Sequence, residues 1–282
     1  ILSFALIAFT GGLSLMRLNG PLDPGAWAVT LLGIVMLVPF VLVELRHPDP
    51  LIDVRMFRSS SLAPVFLTAG LFGVSVLGAQ APLSTFARTD PEVYGYGLGT
   101  TGFGTSLIIG LYLIGMITGA LLFPKVRQWI TPRLTLIAAA CLVGIGYLLF
   151  LPFHDTYWQL VTNMMIAGVG SGALVAALPA AAASAAPDTQ TGVATGLTNS
   201  VKTIGGAIAS AMFGIALMHG VASATGVGGA AGEATAGSLS GYFTVWIICS
   251  ATAFIAAVLL CFVPRDAFQD RKPVVAPTAA SA

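Results

Sequence analysis

The sequence has 282 residues, of which 56% are hydrophobic and only 8% are charged, and its mean hydropathy is +0.92. Soluble domains carry about 25% charged residues, so this composition excludes an ordinary soluble protein and predicts an integral membrane protein. The formal net charge of +1 gives no reason to expect a nucleic-acid partner.

Eight apolar runs follow one another along the chain, and each is a candidate membrane-spanning helix. They occupy residues 1–16, 26–45, 62–83, 101–123, 134–152, 158–183, 192–219 and 242–263. A span needs about 20 apolar residues, so we predict an all-α polytopic membrane protein with about eight transmembrane helices. The first run is shorter than that and has no basic segment before it, so it does not read as a signal peptide. We expect the chain to be the carboxyl-terminal piece of a longer protein.

The basic residues between these runs lie mostly on one side of the membrane if every run is a span. Nine fall in the second, fourth and sixth gaps or after the last run, whereas two fall in the opposite gaps. The nine are Arg46, Arg55, Arg58, Lys125, Arg127, Arg133, Arg265, Arg271 and Lys272, and the two are Arg17 and Arg88. Cytoplasmic loops carry an excess of Lys and Arg. We therefore expect the first side, including the carboxyl terminus, to be cytoplasmic.

Two connecting segments and the end of the chain differ from simple turns. Residues 47–61 contain Pro48 and Pro50 among mixed charges, and we interpret them as a cytoplasmic link between a leading helix pair and six following helices. Residues 220–241 are rich in Gly, Ala, Ser and Thr, which predicts a flexible outer loop. The polar segment after Arg265 is expected to be a disordered tail.

The seventh run carries polar residues in the interior of an apolar helix. A rotation of about 100° per residue places several small and polar side chains of the segment TGVATGLTNSVKTIGGAIASAMFGIALM on one narrow arc. This polar stripe consists of Thr195, Asn199, Lys202, Gly206 and Ser210. A lysine facing hydrocarbon costs at least about 3 kcal/mol, so the stripe predicts one wall of a water-filled substrate cavity. The alternative is that Lys202 extends to the cytoplasmic surface and only holds helices together.

Small residues are spaced for close helix packing in several runs. The segment 167–172, AGVGSG, could be mistaken for a nucleotide-binding loop, but no strand precedes it and its surroundings are apolar. Small residues four apart let helix backbones approach closely. We therefore predict helix packing for this segment and for the pairs Gly115/Gly119 and Gly192/Gly196.

Two amide side chains in other runs are further candidates for the substrate cavity. Gln80 and Asn163 lie within apolar runs, where an amide needs a hydrogen-bonding partner. That partner can be a substrate or a neighbouring helix, and an interhelical hydrogen bond of this kind is worth about 0.6 kcal/mol. Both interpretations remain open for each residue.

Neither catalysis nor metal binding is indicated. His47, His154 and His219 lie at the ends of runs or between them, with no nucleophile motif beside them. The three cysteines lie within apolar runs and lack the spacing of a zinc site or a disulfide framework. We therefore expect no enzyme activity, no cofactor and no metal.

Four segments together resemble the fourteen-helix drug:proton antiporter family (EmrB/QacA type) of the major facilitator superfamily. Residues 188–209, DTQTGVATGLTNSVKTIGGAIA, resemble the penultimate helix of that family. Residues 44–58, ELRHPDPLIDVRMFR, resemble the link before its carboxyl-terminal half. Two weaker matches are YGYGLG at 94–99 and Leu-Pro at 178–179. The loop FPKVRQWITPR at 123–133 departs from the family, because it lacks the acidic residue and the glycine of the family's charge-relay loop.

The resemblance implies a division of the chain into four parts. Residues 1–46 are the extra transmembrane helix pair, 47–61 the cytoplasmic link, 62–264 the carboxyl-terminal six-helix bundle and 265–282 the cytoplasmic tail. It also implies that the amino-terminal half of the same polypeptide, with its proton-exchanging acids, is a partner outside this sequence.

The expected function is therefore secondary active efflux in the plasma or inner membrane. The resemblance implies proton-coupled export of small amphipathic or cationic drugs, with the small-molecule substrate, protons and the lipid bilayer as partners. An exporter of one specific metabolite or peptide is an alternative with the same fold. A membrane scaffold without transport is an alternative from another class.

Overall fold

The computed structural model describes residues 2–19, 23–46, 56–57, 59, 61–219 and 237–262, and these residues are predominantly helical. In lipid every backbone polar group must be bonded within its own segment, which favours helices over the whole length of each apolar run. The helices are α1 (Leu2–Asn19), α2 (Pro24–Arg46), α3 (Ala63–Gly73), α4 (Gln80–Arg88), α5 (Pro91–Tyr94), α6 (Gly102–Val126), α7 (Pro132–Leu148), α8 (Tyr157–Ala185), α9 (Thr191–His219) and α10 (Leu239–Phe262).

Each of the eight predicted apolar runs contains a long helix. Within the described ranges, five helices are long and apolar enough to cross a membrane, namely Pro24–Arg46, Ala63–Arg88, Gly102–Val126, Tyr157–Ala185 and Leu239–Phe262. Ser3–Met16 and Pro132–Leu148 are shorter apolar helices. The all-α, polytopic character of the prediction is confirmed, and the count of eight spans stays a prediction.

Several predicted boundaries need correction. The third run continues as helix to Arg88, and the fifth ends at Leu148. The predicted outer loop 220–241 ends too late, because α10 begins at Leu239 and the hydroxyl of Ser238 accepts a hydrogen bond from the Gly241 amide at 3.0 Å. The rest of that loop up to residue 236, most of the link 47–61 and the tail 265–282 lie outside the described residues.

The helices from α3 onward form one bundle, and α1 and α2 form an antiparallel pair beside it. Helix α8 packs against α6, α7 and α9, while α10 packs against α7, α3 and α9. Helix α9 also packs on α3, and α1 meets the bundle at α9. Helix α9 therefore lies where the leading pair and the bundle meet.

Close approach of α6 and α8 depends on their glycines. A side chain at Gly119 would overlap the carbonyl oxygen of Val169, and one at Gly172 would overlap the carbonyl oxygen of Met116. Gly115 also faces α8, where its position is close to Met165 and Val169. The prediction that the segment 167–172 packs helices is thereby confirmed.

For Gly192 and Gly196 the same prediction stays a prediction. Among the described residues, no heavy atom of another element lies within 4 Å of where a Cβ would stand at either position. The spacing of small residues shows that a close approach is sterically possible, whereas a neighbouring helix must also be present to use it.

The helix Ala63–Arg88 contains a π-helical turn near its middle. The turn spans Val74–Gly78 between α3 and α4, and it widens the helix where one residue is inserted into the regular ladder. The buried Ser75 side chain fixes this turn to α10, because its Oγ lies 3.2 Å from the carbonyl oxygen of Cys249 and 3.1 Å from Thr252 Oγ1. The apolar pattern of the sequence gave no indication of this turn.

Candidate functional site

Helix α9 approaches the middle of the helix Ala63–Arg88 at backbone distance. A side chain at Gly73 would overlap the carbonyl oxygen of Lys202, and one at Gly205 would overlap the carbonyl oxygen of Gly70. Gly73 is the last residue of α3 and lies near the midpoint of this 26-residue helix. The backbone of Lys202 is therefore level with the interior of a candidate membrane span, as the polar stripe requires.

Lys202 and Asn199 form a polar pair on α9. The ammonium Nζ of Lys202 donates a hydrogen bond to Oδ1 of Asn199 at 3.0 Å. The Asn199 side chain is exposed and that of Lys202 is half-buried. No ion pair with Lys202 is formed by any acidic residue in the described ranges. The pair carries a positive charge that the described part of the chain does not neutralise.

A groove between α1 and α9 begins beside this pair. Its volume is about 410 Å³, and Asn199 lines it together with polar and apolar neighbours from both helices. The lining residues are Leu6, Ile7, Thr10, Asn199, Ser200, Thr203, Ile204 and Ala207. The sequence prediction missed Thr10, Ser200 and Thr203. Ser200 and Thr203 could have been found on a wider arc of the helical wheel, whereas nothing local marked Thr10.

The hydroxyl groups of this groove donate to their own helices. Thr10 Oγ1 donates to the carbonyl oxygen of Leu6 at 2.7 Å, and Thr203 Oγ1 donates to that of Asn199 at 2.9 Å. Ser200 Oγ likewise donates to the Gly196 carbonyl oxygen at 3.1 Å. Each hydroxyl oxygen keeps lone pairs for a ligand while its proton is satisfied. The groove thus presents mainly apolar walls with a few weak acceptors.

Apart from Asn199, the stripe residues are not among those that line this groove, and Lys202 reaches it only through its bond to Asn199. Thr195 Oγ1 donates to the Thr191 carbonyl oxygen at 2.9 Å and lies 3.5 Å from that of Pro179 on α8. Gly206 is buried against Leu77 of the π-helical turn, and Ser210 is half-buried. The stripe is continuous on α9, but its surroundings differ along the helix. A groove lies beside Asn199, whereas Thr195 and Gly206 lie against neighbouring helices.

Gln80 and Asn163 lie apart from that groove. Gln80 is exposed at the start of α4. Asn163 is buried on α8, and its Nδ2 donates a hydrogen bond to the Phe153 carbonyl oxygen at 2.8 Å, in the turn after α7. This bond favours the packing interpretation of Asn163, and the assignment of both residues to a substrate cavity stays a prediction.

A second groove is lined by α3, α9 and Phe57. It has a volume of about 340 Å³, and its lining is almost entirely apolar, from Phe66 and Leu67 on α3 to Val201 and Ile208 on α9. It therefore offers space for hydrocarbon but little to orient a polar ligand. In the described ranges, no three His, Cys, Asp or Glu side chains are grouped so that they could hold a metal ion.

Comparison with known proteins gives one family match and several relatives. Residues 2–210 match the model of the Major Facilitator Superfamily. A puromycin resistance protein of Streptomyces alboniger is 28% identical over 246 residues, which are 84% of this chain and 46% of that protein. A multidrug resistance protein of Mycobacterium tuberculosis is 24% identical over 184 residues, or 63% of this chain and 32% of that protein.

A third relative is a "Probable actinorhodin transporter" of Streptomyces coelicolor. It is 27% identical over 232 residues, which are 76% of this chain and 38% of that protein. The chain thus spans less than half the length of each of these three relatives.

Proposed function

Because this chain belongs to the Major Facilitator Superfamily, we propose that it forms part of a proton-coupled exporter of small amphipathic compounds. The observation that carries the proposal is the Lys202–Asn199 pair at 3.0 Å, which lies on an otherwise apolar helix beside the groove between α1 and α9. Charged side chains at such depth are rare, face a bundle interior or a water-filled cavity, and mark substrate or ion pathways.

The relatives support export of small organic molecules. Their names associate them with puromycin resistance, multidrug resistance and actinorhodin. We extend export of such compounds to this chain, because the matched regions cover most of its helices. The finer assignment, to fourteen-helix drug:proton antiporters, rests on the segments 44–58 and 188–209.

The proposed architecture assigns α1 and α2 to an extra helix pair and residues 62–264 to a six-helix half. The helix Ala63–Arg88 together with α6 and α7 would form one three-helix repeat, and α8, α9 and α10 would form the other. Residues 47–61 and the carboxyl terminus would be cytoplasmic. The stripe of α9 would face a central cavity that a second six-helix half of the same polypeptide completes, and the two halves would rock about it. The proton-exchanging acids would belong to that second half, since the long helices described here contain a single acidic residue, Glu44, in the last turn of α2.

Export of one specific metabolite is a second candidate. It is favoured by the relative named for actinorhodin, a single compound. The two candidates differ in the breadth of substrates and share the same site.

The test is drug efflux from cells that express the complete transporter. In a bacterial strain without its own efflux pumps, we expect lower accumulation and higher resistance for several unrelated amphipathic drugs. A protonophore should abolish the difference. Resistance to a single compound would favour the specific exporter. No protonophore-sensitive efflux of any compound would refute the proposal.

A further inference from the structure

We infer that the groove between α1 and α9 binds the anionic group of an amphipathic substrate through Lys202. This inference rests on the proposed export function and narrows its substrate class. The substrate class is a small organic acid, with a carboxylate or phenolate on an apolar ring system. Cationic drugs are accordingly disfavoured at this site.

The distribution of charge along the helices gives the first argument. Lys202 is the basic residue farthest from the ends of the long helices, and the acidic residue in these helices, Glu44, stands in the last turn of α2. Asp23, Asp90, Glu92 and Asp155 lie between helices or in the short α5. A positive charge on the wall of a cavity attracts anions and repels cations, and its effect is stronger where apolar walls limit screening by water. The charge of Lys202 therefore favours anionic over cationic substrates in this groove.

The hydrogen-bonding capacity of the ammonium gives the second argument. An ammonium has three donors, and the bond from Nζ to Asn199 Oδ1 uses one of them. Asn199 lines the groove, so Nζ is held one hydrogen bond away from the groove wall. The remaining N–H groups of Nζ can donate strong charge-assisted hydrogen bonds to carboxylate or phenolate oxygens.

The walls of the groove give the third argument. Leu6, Ile7, Ile204 and Ala207 provide apolar surface, and the volume of about 410 Å³ is in the range of small-molecule sites. The lining residues include neither an acidic side chain nor an aromatic ring. A cation would need one of these to replace its water. An apolar body with one acidic group meets both the walls and the ammonium.

Two dyes with one ring system can test this inference. Fluorescein is anionic at neutral pH, whereas a rhodamine with the same xanthene rings is cationic. Cells that express the complete transporter are loaded with either dye, and initial efflux rates are measured per amount of transporter in the membrane. We expect the parental protein to export fluorescein faster than the rhodamine.

The variants separate binding of the anion from a structural role. In Lys202→Gln we expect fluorescein efflux to fall at least tenfold while rhodamine efflux is unchanged or rises. Lys202→Arg retains the charge and should stay within a few-fold of the parental rate. Lys125→Gln is the matched control, since Lys125 is exposed near the end of α6 and its loss should change neither rate. Ala207→Phe fills the groove but leaves the lysine, and it should slow fluorescein efflux even if Lys202→Gln does not accumulate.

Three results would overturn the inference. They are preferred export of the rhodamine, an equal loss of both dyes in Lys202→Gln, and no export of fluorescein by the parental protein. An equal loss would show that Lys202 holds the helices together or pairs with an acid elsewhere in the transporter. The drug panel of the preceding section decides the export function separately, so efflux of those drugs without export of fluorescein would refute only the charge preference.

Discussion

Asn163 shows how one hydrogen bond can favour one of two roles for a polar residue in a membrane helix. Its Nδ2 donates to the Phe153 carbonyl oxygen at 2.8 Å, and its side chain is buried. The bond connects α8 to the turn that follows α7. An amide held in this way is better placed to join parts of the fold than to meet a substrate, because its side chain is buried and this bond fixes its orientation.

We expect Asn163→Ala to lower stability without changing transport. Loss of the amide leaves the Phe153 carbonyl oxygen without this partner, at a cost of about 1 kcal/mol. That cost corresponds to a fall in the unfolding midpoint of about 2 to 4 °C for a protein of this size. Thermal unfolding of the purified protein in detergent measures it, with Gln80→Ala as the control because Gln80 is exposed. An unchanged midpoint combined with lost efflux would assign Asn163 to the substrate cavity instead.

Helix contacts in this protein are set by where small residues meet a neighbour. Gly119 and Gly110 are both on α6, but only Gly119 faces the backbone of α8. At Gly110, no heavy atom within the described residues stands within 4 Å of where a Cβ would be. The same helix therefore offers a matched pair of glycines with opposite surroundings.

We expect Gly119→Leu to destabilise the bundle and Gly110→Leu to be tolerated. A leucine at Gly119 would meet the Val169 carbonyl oxygen, and overpacking of this kind costs about 1 to 3 kcal/mol. At Gly110 the higher helix propensity of leucine would instead stabilise the helix by up to about 1 kcal/mol. Unfolding midpoints and the fraction of monodisperse protein in detergent distinguish the two variants. Equal effects at both positions would contradict the predicted α6–α8 contact.

At the scale of the whole molecule, membership of the Major Facilitator Superfamily agrees with the predicted polytopic membrane protein, and transport by the complete protein stays a proposal. The orientation in the membrane rests on the distribution of Lys and Arg in the sequence and stays a prediction. Loops on the two proposed sides are available for labelling, since Glu92 in α5 and Gln128 after α6 are both exposed.

We expect a membrane-impermeant thiol reagent to label Glu92→Cys in intact cells and Gln128→Cys only after lysis. Both substitutions are made in a protein whose Cys141, Cys249 and Cys261 are replaced by Ala. Glu92 lies in a gap assigned to the outside, whereas Gln128 lies beside Lys125 and Arg127 in a gap assigned to the cytoplasm. Unreacted variants are relabelled after lysis to show that each cysteine is reactive. The opposite labelling pattern would reverse the orientation.

The sequence by itself determined where the helices lie and to which family they belong. Apolar runs in a bilayer have to satisfy their backbone polar groups locally, so each run became a helix whose approximate limits can be read from composition. The polar stripe of α9 could be found in the same way, since helical periodicity is a local property. The segments 44–58 and 188–209 gave the superfamily without any structural information.

Only the tertiary structure decided what each helix face meets. Lys202 lies against Gly73, and Ser75 contacts Cys249 and Thr252, although these residues are far apart along the chain. Gly119 and Gly196 look alike in sequence, yet within the described residues Gly119 packs against a neighbouring helix and Gly196 does not. In a membrane, pairing of helices depends on close complementarity of surfaces rather than on burial of apolar area, because lipid is as apolar as the side chains. That complementarity is a property of two distant segments together, and a periodicity within one segment does not contain it.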